Sequence, residues 1–174
     1  MTLALSIVSH GHGAQVLSLL ALLVQSPQSL IRRVWVTLNT PEPALTQALA
    51  APDAAWRGRL DVRVLHNPQP LGFGANHNQA FAHADTPFFA VLNPDMRLRD
   101  PLLWLQMKDL AAQPGVGAVT ATLLNPDGSV QDNQRALVTP WALFRRRVLR
   151  QPDRRVDWFS ASFLLLPSAA YRQV

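Results

Sequence analysis

Short apolar runs alternate with longer helix-like segments over the first 124 residues, and this alternation constrains the fold more than any other feature. Five runs are typical of buried strands: Leu3–Ser9, Val34–Leu38, Asp61–His66, Phe88–Leu92 and Val116–Leu124. Four segments between them are typical of helices: Ala14–Gln25, residues 43–51, Ala75–Ala84 and Pro101–Ala112. Strands that alternate with helices at this spacing predict an α/β fold with an open, mostly parallel central sheet.

The composition excludes several classes of protein. The chain has 174 residues, of which 48% are hydrophobic and 16% charged, and it has no cysteine. These values exclude a disordered chain, a disulfide scaffold and a thiolate metal site. The longest apolar stretch, Val16–Val24, is too short to span a membrane, and no basic residue precedes Arg32 to start a secretory signal. We therefore expect one cytoplasmic domain over residues 1–174.

The positive charge is concentrated near the end of the chain. Residues 1–134 hold 8 basic and 9 acidic side chains, whereas residues 135–174 hold 8 basic and 2 acidic ones. Trp141, Phe144 and Val148 have helical spacing, and four arginines surround them: Arg145, Arg146, Arg147 and Arg150. This pattern is typical of a helix at the surface of anionic lipid. It is equally typical of a core-packed helix with a solvated arginine face, and no nucleic-acid partner is expected.

In a parallel sheet, ligands bind beyond the carboxyl ends of the strands, so the residues that follow each strand are the candidates for a site. Asn93-Pro-Asp95 follows a fully apolar run, and a carboxylate there could hold a divalent cation that neutralises a diphosphate. The alternatives are a simple turn or a helix cap. The same tripeptide recurs at 125–127, where Gly128 follows it and predicts a turn.

Two glycine-containing segments also follow predicted strands. Gly72-Phe-Gly-Ala-Asn-His-Asn78 lacks the third glycine of a dinucleotide fingerprint, but its glycines would let a ligand reach the backbone at a helix N-terminus. Asn76 and Asn78 could hydrogen-bond a sugar or a base, and an ordinary glycine turn is the alternative. His10-Gly-His-Gly13 offers two histidines without an identifiable third ligand, so no zinc site is predicted.

Taken together, these residues resemble a family 2 glycosyltransferase of the rhamnosyltransferase-like bacterial branch. Leu5–Ser9 resembles the family's first strand, Leu71–Asn78 its G-F-x-x-x-x-N segment, and Leu92–Asp95 the L-N-P-D form of its metal-binding D-x-D motif. Ala118–Gln131 is similar to the stretch after the fifth strand, and Val156–Ala161 to the D-W-x-x-G segment near the acceptor.

The resemblance implies a Rossmann-like GT-A fold with a nucleotide-sugar-binding half over residues 1–124 and the start of an acceptor-side region over 125–174. It implies a nucleotide-diphosphate sugar donor, Mg²⁺ or Mn²⁺ on Asp95, and inverting transfer to the hydroxyl of a glycan or lipid-linked acceptor. Such transfer is typical of bacterial cell-surface polysaccharide or glycolipid synthesis, with peripheral contact to the inner face of the membrane as a further expectation. The implied donor-binding residues are Ser9, His10, Asn39, Glu42, Gly72, Phe73, Asn76, Asn78, Asn93 and Asp95. The implied acceptor-side residues are Asp157, Trp158 and Ser160.

The sequence also departs from the family's pattern. Asn39 or Glu42 would replace the aspartate that usually contacts the base, and Pro70 stands where an asparagine is common. The family's catalytic base lies in a segment expected beyond Val174, and Asp132 and Asp157 do not fit its motif. We therefore expect a truncated chain with a donor site and little or no transferase activity of its own. The alternatives are a non-catalytic donor-binding fragment and, disfavoured by the absence of a basic glycine-rich signature near the N-terminus, a sugar nucleotidyltransferase.

Overall fold

The computed structural model describes residues 2–27, 29–131, 134–135, 139, 144, 147–148 and 158–173. They belong to two compact units, of which the first comprises residues 1–119 and 162–174 and the second residues 120–161. The strands are β1 (Leu3–Ser9), β2 (Ile31–Leu38), β3 (Val62–His66), β4 (Phe88–Leu92), β5 (Val119–Thr120), β6 (Gln134–Arg135), β7 (Trp158–Phe159) and β8 (Phe163–Pro167). The helices are α1 (Gly13–Leu23), α2 (Pro43–Ala50), α3 (Phe73–Phe81), α4 (Leu103–Ala111) and α5 (Ser168–Tyr171).

A six-stranded sheet with the order β3-β2-β1-β4-β8-β5 forms the centre of the fold. β1 lies parallel to β2 and β4, and β2 lies parallel to β3, whereas β8 lies antiparallel to β4. The predicted α/β class and the mostly parallel sheet are therefore confirmed. β1, β2 and β3 end in register, because Ser9 pairs with Leu38 and Leu38 pairs with His66. The residues that follow these strands are consequently brought to one edge of the sheet.

Apolar side chains cover both faces of the central strands. Every residue of β4 is buried, which explains why its sequence is continuously apolar rather than alternating. On one face, Ala4 and Phe89 pack with Ala80 of α3. Elsewhere in the same unit, Trp104 of α4 packs against Phe163 of β8 with ring centroids 4.9 Å apart. In the described part of the chain, no helix combines the length and apolar character needed to cross a membrane.

The last long strand differs from its prediction. The sequence predicts one strand over Phe159–Leu166 in the second half of the chain, but the structure divides this stretch between β7 and β8. β8 pairs with β4 from Leu92↔Phe163 to Phe88↔Pro167. A strand from the predicted acceptor-side region, residues 125–174, therefore belongs to the same sheet as strands from the predicted nucleotide-sugar-binding half, residues 1–124. Likewise, only Val119–Thr120 of the predicted strand Val116–Leu124 forms a strand, and Leu124 makes an isolated antiparallel bridge to Val130. Pairing partners far apart in sequence fix these bounds, and apolar periodicity does not reveal them.

The second unit contains the predicted turn at the repeated tripeptide. The N–H of Gly128 donates to the carbonyl of Asn125 at 2.9 Å, and Gly128 has a φ of 87°, which a side chain would disfavour. β6 pairs with β7 in antiparallel fashion.

Within the predicted helix 141–150, the N–H of Val148 donates to the carbonyl of Phe144 at 2.8 Å, and Arg147 is exposed. Six residues considered in the sequence analysis lie outside the described part of the chain: Trp141, Arg145, Arg146, Arg150, Asp132 and Asp157.

Candidate nucleotide-binding cleft

A cleft of about 330 Å³ lies in the first unit, beyond the carboxyl ends of β1, β2 and β4. Six of the ten predicted donor-binding residues line it: His10, Asn39, Phe73, Asn76, Asn93 and Asp95. They come from four segments of the sequence, and the sheet brings them together because each segment follows a strand or opens the helix after one. The cleft therefore occupies the place that a parallel sheet predicts for a ligand.

Backbone hydrogen bonds hold Asn39 and Asn67, the residues directly after β2 and β3, at the sheet edge. The N–H of Asn39 donates to the carbonyl of Ser9 at 2.9 Å, and the N–H of Asn67 donates to the carbonyl of Leu38 at 3.1 Å. The ladder therefore continues one residue beyond β2 and β3, and both asparagine side chains are fixed where the strands end.

Asp95 provides the only carboxylate among the described residues that line the cleft. Its segment is anchored by Asn93, whose N–H donates to the carbonyl of Ser162 at 2.8 Å and whose carbonyl accepts from Met96 at 3.2 Å. The Asp95 side chain is exposed, and within the described part of the chain its carboxylate has no hydrogen bond or ion pair. A carboxylate held on an anchored turn and left without a protein partner is available to a ligand.

Helix α3 points its uncapped N-terminus toward the same cleft. Its N-cap is Gly72, and no side chain caps it. The carbonyl of Gly72 accepts from the N–H of Asn76 at 3.1 Å, so the N–H groups of Phe73, Gly74 and Ala75 have no acceptor within the helix. A Cβ added to Gly72 or Gly74 would meet nothing within 4 Å, so this backbone is open to an approaching group. Such an N-terminus favours a phosphate.

Three asparagine side chains form a hydrogen-bond network beside the start of α3. The Oδ1 of Asn39 accepts from the N–H of Leu71 and from the Nδ2 of Asn67, each at 2.8 Å. The Nδ2 of Asn67 also donates to the Oδ1 of Asn76 at 2.7 Å. The Nδ2 of Asn76 donates to the carbonyls of Leu71 and Gly72, each at 3.0 Å. The network fixes the loop between β3 and α3. Sequence reasoning missed Asn67, although its position directly after β3 was a usable signal.

Four predicted donor-binding residues lie outside the lining of the cleft. Gly72 is the N-cap of α3, and the Oγ of Ser9 accepts from the N–H of His12 at 3.2 Å. The Oε1 of Glu42 accepts from the N–H of Gly11 at 3.0 Å, so this carboxylate braces the loop after β1. The fourth, Asn78, accepts at its Oδ1 a hydrogen bond from the Tyr171 hydroxyl at 2.6 Å, which ties α5 to α3.

A buried histidine lies behind the cleft on α3. His77 is 2% exposed, its Nδ1 lies 2.8 Å from the Oγ of Ser6 on β1, and its ring packs edge-on against Phe73 at 4.5 Å. Burial lowers the pKa of His77 to about 4. His77 is therefore neutral at ordinary pH. It joins the first turn of α3 to the sheet.

The predicted acceptor-side residues belong to the second unit. Trp158 is 44% exposed and Ser160 is partly buried, whereas Asp157 lies outside the described residues. Their role in binding an acceptor stays a prediction.

Comparison with known proteins decides the family. Residues 18–173 match the family described as Glycosyl transferase family 2. The chain belongs to this family. It is 26% identical over 152 residues to an N-acetylglucosaminyl-diphospho-decaprenol L-rhamnosyltransferase from Mycobacterium tuberculosis, a match that covers 71% of this chain and 50% of the relative. The family resemblance stated from the sequence motifs is therefore confirmed.

Solved structures of glycosyltransferases share the GT-A fold of this family 2 chain. A mannosyltransferase from Pyrobaculum calidifontis, in complex with GDP-Man and Mn²⁺, matches with a TM-score of 0.70 and 14% identity over 95% of this chain and 44% of that one. S. aureus TarS in complex with UDP-GlcNAc matches with a TM-score of 0.66 and 15% identity over 99% of this chain and 47% of that one. The family 2 chain thus spans about half the length of these proteins.

Proposed function

We propose that this chain forms the donor-binding part of a glycosyltransferase. The enzyme would transfer a sugar from a nucleotide-diphosphate sugar to an acceptor hydroxyl, with inversion at the anomeric carbon and with Mg²⁺ or Mn²⁺ as cofactor. One observation carries this proposal: the unpaired Asp95 carboxylate shares a cleft with the uncapped N-terminus of α3. The first suits a divalent cation and the second suits a phosphate, and a diphosphate with its cation needs both.

The residues present fit a cation of this kind. Mg²⁺ is commonly bound by one or two carboxylates together with water and substrate phosphates, rather than by a cage of protein ligands. Among the described residues, no group of three or more histidine, cysteine, aspartate or glutamate side chains could form such a cage. Asp95, with the neighbouring amide of Asn93, would hold the ion. When bound, the ion would offset the charge that develops on the leaving diphosphate.

The remaining lining residues would bind and orient the donor. The free N–H groups at the start of α3 would donate to phosphate oxygens. Leu71 and Phe73 are 43% and 50% exposed at the cleft and offer an apolar wall for a flat ring. Asp95 would be occupied by the cation, so the base that activates the acceptor hydroxyl would come from outside this cleft.

The names of the relatives support the donor and acceptor classes. GDP-Man and UDP-GlcNAc are nucleotide-diphosphate sugars, and the mycobacterial relative is named for a polyprenyl-linked acceptor. We therefore propose a glycan or lipid-linked acceptor, a role in bacterial cell-surface glycan synthesis, and a cytoplasmic protein that contacts the inner membrane face through Arg145, Arg146, Arg147 and Arg150. Replacing these arginines with glutamate should abolish co-sedimentation with anionic liposomes, and unchanged co-sedimentation would remove the membrane contact from the proposal.

The donor site is tested by thermal-shift measurements with UDP, GDP and dTDP, each with and without Mn²⁺. At least one nucleotide should raise the melting temperature only when Mn²⁺ is present, and Asp95→Asn should abolish the metal-dependent part. Asp127→Asn is the matched control, because it changes the same tripeptide where the carboxylate accepts hydrogen bonds from Ser129 in a turn. No shift with any nucleotide, or equal losses in the two variants, would contradict the proposed function.

A further inference from the structure

The side-chain amide of Asn39 has no hydrogen-bonding capacity left for a ligand. Its Oδ1 accepts from the N–H of Leu71 and from Asn67, and its Nδ2 donates to the carbonyl of Leu71 and to the Nδ1 of His10, each at 3.0 Å. Two of these partners are backbone groups, whose donor and acceptor roles are fixed. They determine which end of the amide is oxygen and which is nitrogen.

The orientation of Asn39 determines where His10 carries its proton. Because the nitrogen of Asn39 faces the Nδ1 of His10, that ring nitrogen must accept, and the neutral ring carries its proton on Nε2. The ring of His10 is exposed and lines the cleft. It therefore presents one N–H donor to a ligand, with a fixed tautomer.

The other asparagines of the network are also engaged. Both Nδ2 donors of Asn67 are used by Asn39 and Asn76, its Oδ1 is buried, and the Nδ2 of Asn76 is used by backbone carbonyls. Of the side chains that join this network, only His10 retains an N–H group that can donate a hydrogen bond into the cleft.

The order of the strands indicates which end of the cleft would meet the base of a bound nucleotide. Asp95 follows β4 and Asn39 follows β2, and β1, which His10 follows, lies between them. With neighbouring strands about 4.8 Å apart, the ends of β2 and β4 are separated by about 10 Å. A diphosphate whose cation lies on Asp95 would therefore extend its nucleoside across the sheet edge, toward His10 and Asn39.

We propose that His10 determines how the base is recognised, and that Asn39 is a positioning residue. The Nε2–H of His10 donates a hydrogen bond to a carbonyl oxygen of the base, while the amide of Asn39 fixes the His10 tautomer and holds the loop at Leu71. This inference rests on the proposed function and assigns the part of the cleft that meets the base. It contradicts the sequence-based expectation that Asn39 or Glu42 contacts the base directly.

The first test needs no variant. Ring-nitrogen NMR of the unmodified chain without nucleotide should show the Nδ1 of His10 unprotonated and the Nε2 protonated at neutral pH. A proton on Nδ1 would overturn the inference, whatever the chain binds.

The second test measures the affinities of UDP and inorganic pyrophosphate with Mg²⁺ by calorimetry. His10→Phe keeps an aromatic ring but removes the donor, so UDP should bind about fivefold to tenfold more weakly, while pyrophosphate changes by less than about twofold. His66→Phe, at an exposed position of β3 outside the cleft lining, is the control and should change neither affinity. Unchanged UDP affinity in His10→Phe overturns the role of His10 alone. Absence of binding by the unmodified chain to any nucleoside diphosphate overturns the proposed function, and this inference with it.

Asn39→Asp distinguishes a positioning role of residue 39 from direct contact between residue 39 and the base. If His10 recognises the base, the carboxylate should draw the ring proton of His10 to Nδ1 in the NMR spectrum, and UDP affinity should fall by about tenfold. If position 39 contacts the base itself, the aspartate usual in the family should preserve UDP affinity even though the ring proton of His10 moves to Nδ1. That result would overturn the inference.

Discussion

The buried His77 should make the stability of this protein depend on pH in a defined interval. Its pKa is lowered from 6.5 to about 4 because folding removes the ring from water. Between these two values the unfolded chain binds a proton that the folded chain does not. The free energy of unfolding therefore falls as the pH falls, and the loss is complete below the folded pKa.

The magnitude follows from the two pKa values. Lowering the pH from about 7.5 to about 5 should reduce the free energy of unfolding by about 2 kcal/mol through His77 alone. With a urea dependence of about 2 kcal/mol per molar, the unfolding midpoint should decrease by about 1 M.

The assay is urea unfolding followed by far-UV circular dichroism at both pH values. His77→Gln removes the titrating ring and should remove most of the pH dependence, whatever it does to the absolute stability. His66→Gln, which changes an exposed histidine of β3, should retain the full dependence. The reasoning fails if the His77→Gln and unmodified chains lose stability equally. If the variant does not fold, an NMR titration of the unmodified chain decides the matter, and a His77 pKa near 6.5 would refute the explanation.

Three further substitutions test other contacts by urea unfolding. Gly13→Ala would place a Cβ 3.1 Å from the Oε2 of Glu42 and 3.2 Å from the Cβ of the buried Leu45. The contact with Leu45 should outweigh the helix preference of alanine and cost about 1 kcal/mol, whereas an unchanged or raised midpoint would show that these neighbours yield easily. Tyr171→Phe removes the 2.6 Å hydrogen bond to Asn78 and should lower the free energy of unfolding by about 1 kcal/mol without altering nucleotide affinity. Weaker nucleotide binding would indicate that Asn78 takes part in binding the donor. Asp61→Asn breaks two ion pairs of 2.7 Å at a partly exposed position and should cost less than about 1 kcal/mol, so a larger loss would point to a buried network.

The sequence by itself determined the central strands and the position of the cleft. Leu3–Ser9 and Phe88–Leu92 were predicted with the bounds that the structure shows, because continuous apolar runs ended by glycine or proline segments are a local signal. The same local signal distinguished the two Asn-Pro-Asp copies. The copy at 93–95 lies at the end of a buried strand and lines the cleft, and the copy at 125–127 forms a turn with Gly128.

Only the tertiary structure decided what the polar residues near the cleft do. Asn39 bonds to Leu71, 32 residues away, and Asn78 bonds to Tyr171, 93 residues away. The insertion of β8 beside β4 and the burial of His77 against Ser6 are also contacts between distant segments. Side-chain amides pair with whichever donor or acceptor the fold brings near, and residue type does not specify that partner. The sequence therefore identified the residues at the sheet edge, and the packing of distant segments determined which of them are left free to bind a ligand.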